Sequence, residues 1–267
     1  MNKNYLTSEI MERSCHQFIY GYNGKGREEF LKEVVAAYPI ILDQSSPVGI
    51  YINDKGLPEP SQNSGALDEF RLSIFNRSYL EYLIAYNIIN VAVQQIDEKT
   101  LNSRSEELLN RVNRLFVSSN HNKLTSLVEL SKTLKEAKEI YYDEYIKYIG
   151  SGDLSDFYDR VPVNITVMSS FAEYFKRMIN TTSYLGIIFD QQDLLSKHAQ
   201  KAINNYVGSR ITANMSMKVA CEPEEWKTYY DQNGVLIEST HDYGCVELDN
   251  CHSDYIQKLK KKRSIGL

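Results

Sequence analysis

Three clusters of residues in this chain have the types and spacing to do chemistry. The first lies in FIYGYNGKGREEFLKEVV, Phe18 to Val35. Gly21 and Gly26 stand as in the phosphate-cradling pattern G-x-x-x-x-G-K-S/T, with Asn23, Gly24 and Lys25 between them. Glycines let backbone N–H groups approach an anion, and a following helix adds about half a positive charge at its N-terminus. Arg27, however, stands where the pattern has lysine, and Glu28 where it has the magnesium-binding hydroxyl. An arginine keeps the charge but is a wider planar fork, not interchangeable with lysine in a tight cradle. Glu28 would set a carboxylate beside the phosphates and repel them. Lys25, one residue early, projects differently but stays within reach of an anion. Two readings stay open: an anion-binding loop, and a plain glycine turn joining a strand to a helix.

The second cluster is Asp190-Gln191, at the end of the apolar run YLGIIFD, and the third is Glu222, which follows MSMKVAC. Near-continuous apolar runs of this length are characteristic of buried parallel strands, whose C-terminal ends face a ligand crevice. Other groupings carry less. Cys245, Cys251 and His252, with His241 nearby, match no common zinc spacing, and no metal site is expected there. His16, His121 and His198 are isolated and read as structural or surface residues.

The elements that must position these residues follow from periodicity. Residues 1–16 form a lead-in helix or arm, with Ile10 and Met11 available for docking. Phe18–Tyr20 is the first strand, and the helix after the loop ends near Tyr38-Pro39. PVGIYIN, 47–53, is the second strand, followed by a turn at 54–58 and a surface loop at 59–66. From Leu67 to Tyr158 the period is helical: Leu67–Ile96, a second helix opened by a capping box of Ser103 with Glu106, and a third over Lys123–Tyr148. Ninety helical residues exceed what one strand-to-strand crossover needs, so 67–158 reads as a helical insertion in an α/β core of 1–66 and 159–267. A hinge-like connection at 150–162 leads to a strand Val163–Met168 and a helix Phe171–Ile179. The Asp190 strand follows, then a helix Leu194–Val207, strands Met215–Cys221 and Gly244–Leu248, and a terminal helix Asp249–Lys262.

Composition narrows the function classes. The chain has 267 residues, 42% hydrophobic and 24% charged, enough for one large core. A net charge of -5 argues against a broad nucleic-acid surface. The one basic run, Lys258–Arg263 (KLKKKR), would support only salt-sensitive, nonspecific nucleic-acid contact. No apolar stretch is long enough to span a membrane, and MNKNYLTSEI lacks the apolar core of a secretory signal. The four cysteines show no disulfide spacing, which fits a reducing cytoplasm.

The order glycine loop, Asp strand, polar-tipped strand resembles an AAA+ P-loop ATPase of the origin-recognition-complex type, including its bacterial mobile-element and defence relatives. Residues matching that family's motifs are Asp190-Gln191-Gln192-Asp193-Leu194-Leu195 with Gln200, Ile203 and Asn204; Lys218-Val219-Ala220-Cys221-Glu222-Pro223; and Asp242-Tyr243-Gly244-Cys245-Val246-Glu247-Leu248-Asp249. The resemblance covers about 15–55 and 160–250. It implies ATP or ADP with magnesium at Gly21, Asn23, Gly24, Lys25, Gly26, Arg27, Glu28 and Asp190. It also places Gln191 where the family has its catalytic glutamate, and Glu222 where it has an arginine. An amide is no general base, a role worth about 10²- to 10⁴-fold. Arg210 lies near the family's trans-acting arginine and reads as a solvated loop residue. The lid and winged-helix domain that the resemblance implies would need a further domain's length after Leu248, and neither is expected here.

The expectation is an α/β fold, a P-loop NTPase-like parallel sheet flanked by helices, with its catalytic set degenerate. The function that follows is a pseudo-ATPase: a regulatory or scaffolding subunit that binds a protein partner or self-associates. A divergent but working ATPase, holding phosphate with Lys25 and Arg27 and magnesium with Asp190, is the alternative. A nucleic-acid-binding module is the third.

Overall fold

The computed structural model describes residues 3–22, 26–54, 56–60, 69–114, 123–151, 168–190 and 195–248. Five strands, β1 (Gln17–Tyr20), β2 (Val48–Ile52), β3 (Leu185–Phe189), β4 (Met215–Cys221) and β5 (Gly244–Glu247), form one sheet in the order β2-β3-β4-β1-β5. Every pairing is parallel, with Ile19 opposite Ala220 and Val246, and Ile50 opposite Ile187. β4 thus lies between β1 and β3. The glycine loop leaves the C-terminal end of β1, and Asp190 follows the C-terminal end of β3.

The strands alternate between two apolar clusters, as the period of two requires. Ile19, Ile188, Ala220 and Val246 face α1 (Lys3–Met11) and α2 (Arg27–Ala36), burying Leu6, Ile10, Met11, Leu31 and Val34. Gly49 of β2 lets α2 lie close, because a Cβ there would stand 3.0 Å from the Val35 Cα. Phe18, Tyr20, Ile50, Ile52, Ile187, Phe189 and Val219 face the larger cluster. That cluster runs on into α3 (Glu69–Gln95), α6 (Leu127–Ser151), α7 (Met168–Ile179) and α8 (Lys197–Gly208). α3 packs on β2, α6, α7 and α8. Between α3 and α6, Phe75 meets Tyr141, Tyr145 and Tyr148 at ring centroids 5.5, 5.5 and 5.1 Å apart. The α6 tyrosine and leucine stripe is therefore core packing.

Two short helices, α4 (Glu98–Arg104) and α5 (Glu106–Asn113), replace the single helix expected to open at Ser103. The cap is Asp97, whose side chain accepts from the Thr100 N–H at 3.0 Å. Ser103 lies inside α4, where its hydroxyl donates to the Thr100 carbonyl. A carboxylate six residues earlier took the cap first. Of the expected strand Val163–Met168, residues 163–167 lie outside the described residues and Met168 is the first residue of α7. Gly150 and Ser151 continue α6, and the rest of the expected hinge, 152–162, is outside as well. So are the terminal helix, the run Lys258–Arg263, Cys251, His252 and His121.

Candidate nucleotide site

Gly26 opens α2 in the left-handed region, at φ 81°, a conformation glycine adopts without strain. Gly26 has no side chain with which to cap this helix, and the Phe30 N–H bonds the Gly26 carbonyl at 3.0 Å. The bend turns Arg27, the first residue of α2, into the interior. Arg27 is 3% exposed. Its Nη1 donates to the Gly21 carbonyl at 2.6 Å, and its Nε to Asp190 Oδ1 at 3.0 Å.

Asp190 is fully buried. Its backbone N–H bonds the Ile52 carbonyl at 2.9 Å, prolonging the β2–β3 ladder by one residue. Its second oxygen, Oδ2, accepts from the Tyr51 hydroxyl at 2.8 Å. Burial, and then the bond and charge of Asp190, push the Tyr51 phenol well above its ordinary range, so it stays a donor. Tyr51 shares the α2-facing side of β2 with Gly49. The Lys32 ammonium lies 5.7 Å from its ring centroid and bonds Glu28 Oε1 at 2.6 Å. That bond, foremost, raises the Lys32 pKa.

The expected site residues separate accordingly. Gly21, Gly26, Arg27 and Asp190 come together. Glu28 pairs along α2 with Lys32 at 2.6 Å, so the charged group held at Gly21 and Asp190 is the Arg27 guanidinium. Asn23, Gly24, Lys25 and Gln191 lie outside the described residues. Glu222 begins the turn after β4, where its carbonyl accepts from the Glu225 N–H at 3.1 Å. Arg210 is largely exposed but ion-paired within the chain, its Nε on Asp242 Oδ1. Among the described residues, no group of three or more His, Cys, Asp or Glu side chains could hold a metal ion. Tyr51 was not among the expected residues. Its position in PVGIYIN fixes its face, but only the pairing of β2 with β3 brings it to Asp190.

A magnesium–nucleotide does not fit these side chains as they stand. A hard cation needs open carboxylate oxygens, and both oxygens of Asp190 are engaged by the chain's own donors. A triphosphate needs the space and charge that the Arg27 fork has turned toward Gly21 and Asp190. Beside the loop lies an open cavity of about 370 Å³, walled by Leu6, Tyr22, Phe30 and Leu248 with Lys3, Glu29 and Glu33.

The strand order, with a glycine turn after β1 and an aspartate after β3, defines an α/β fold of the P-loop nucleoside-triphosphatase kind. Residues 36–262 match the model of the ORC-CDC6-like family, and the chain belongs to that family and so to the AAA+ type. The match takes in Asp190 and Glu222 but begins at the last residue of α2, beyond the glycine loop. Among curated proteins, none matches the chain.

Proposed function

We propose that this protein is a pseudo-ATPase: an AAA+-type subunit that regulates or scaffolds by binding a protein partner and does not turn over nucleotide. The observation that carries this reading is the occupancy of Asp190, with Arg27 on one oxygen and Tyr51 on the other. Phosphoryl transfer on this fold rests on a lysine at the phosphates, a hydroxyl and an aspartate on magnesium, and a residue that orients water. Arg27, Glu28 and Gln191 stand at three of those places, and the fourth is already bonded. The helical segment 67–158, read as an insertion, is the proposed docking unit. The resemblance to mobile-element and defence relatives suggests a bacterial, cytoplasmic setting.

Titration calorimetry of ATP, with and without magnesium, tests the reading alongside a turnover assay. We expect no magnesium-dependent binding and no turnover above background. Submicromolar binding abolished by Asp190→Ala would overturn it. The alternative, a divergent ATPase, is favoured by one observation: an open cavity persists beside Gly21 and Gly26, at the N-terminus of α2.

A further inference from the structure

We propose that Arg27, Asp190 and Tyr51 form a built-in strut that fixes the loop end of the sheet in one state, so that this end is not switched by nucleotide. The inference rests on the reading above in one respect, that a ligand does not displace Arg27. Its basis is topological. β1 and β3 are not neighbours, because β4 lies between them, so no backbone ladder joins their ends. Arg27 crosses that gap: Nη1 holds the Gly21 carbonyl after β1, while Nε holds Asp190 after β3. Tyr51 adds β2 to the same carboxylate at 2.8 Å, and Arg27 itself is the first turn of α2. One side-chain cluster therefore ties three strand ends and a helix start.

In nucleotide-driven switches, a terminal phosphate and its metal make such a tie, and hydrolysis releases it. A guanidinium attached to the backbone does not leave. Both charged side chains are at most 2% exposed, so salt screens the pair little. A purely stabilising role explains the pair less well, since apolar residues of similar volume often do as well or better in its place.

Hydrogen exchange on the full chain, without nucleotide, tests the strut. The reporters at the loop end are the amides of Gly21, Phe30 and Asp190, bonded to the carbonyls of Cys221, Gly26 and Ile52. Those at the opposite end are Val48, Leu185 and Gly244, bonded to the carbonyls of Tyr184, Asn214 and His16. Arg27→Ala should speed the first set by about tenfold or more and leave the second within about twofold. Should that variant fail to fold, Arg27→Lys keeps the charge but lacks the planar fork whose separate nitrogens hold the two acceptors, and should speed the same set by a smaller factor. Magnesium–ATP added to wild type should change neither set. The strut is overturned by loop-end exchange that stays at the wild-type rate in the folded variant, by an equal rise at both ends, or by protection of the loop end on adding magnesium–ATP. The two ideas fail separately. Unchanged exchange without turnover removes the strut alone, whereas ATP turnover with loop-end loosening removes the pseudo-ATPase alone.

Discussion

Arg27 and Asp190 each enter the core with a charge that the other neutralises. Removing one leaves a buried ion without a counter-charge, which costs about 3–5 kcal/mol. Arg27→Ala and Asp190→Ala should therefore each lower the urea midpoint substantially. The double change Arg27→Met with Asp190→Leu should recover most of the loss, a comparison that measures the coupling directly. His16 sets a pH dependence of its own. Its Nδ1 accepts the Met217 N–H at 2.9 Å, so the neutral ring carries its proton on Nε2, which is buried without a protein acceptor among the described residues. Burial first, and then the Lys218 charge, lower its pKa from 6.5 to about 4. The unfolded chain thus binds a proton between those values that the folded chain refuses, and stability is lost as pH falls from 6.5 toward 4. The loss is about 3 kcal/mol. His16→Gln should flatten that part of a stability–pH curve by a similar amount, as read from urea midpoints at pH 4 and 7. At this scale the sequence named Arg27 and Asp190 but not their bond, because which way a side chain turns at a helix start depends on the partner that folding delivers.

Element boundaries were legible wherever periodicity and punctuation agreed. MSMKVAC is β4 residue for residue, the apolar run before Asp190 is β3, and α3 lies within the expected Leu67–Ile96. The misplacement at Ser103 has a physical cause, since Asp97 offers an equally good cap six residues upstream. Asp97→Ala should cost about 1 kcal/mol of stability by urea denaturation, and Ser103→Ala much less. Gly49 marks the contact between β2 and α2. A valine there meets the Val35 backbone, which cannot rotate away as a side chain could. Gly49→Val should destabilise by about 1–3 kcal/mol in the same assay, through overpacking.

For the molecule as a whole, an all-parallel α/β sheet could be read from apolar runs separated by helices, but its strand order could not. Order is a property of crossovers and register, and it decides that Tyr51 neighbours Asp190 while β1 does not neighbour β3. Among the described residues, no helix is long and apolar enough to cross a membrane. With a net charge of -5, any nucleic-acid contact should fall on the run Lys258–Arg263. Deleting residues 258–267 should abolish what low-salt binding there is to nonspecific duplex in a filter or anisotropy assay. Retained binding would place the contact elsewhere.

The sheet also has a history written into its register. β1 is made well before either of its partners, since β4 and β5 lie about 200 residues downstream of it. During synthesis that apolar strand has nothing to pair with while the rest of the chain is made. A nascent polypeptide of this kind must be shielded or must wait, because β1 cannot be paired on either side until β4 and β5 have both been made.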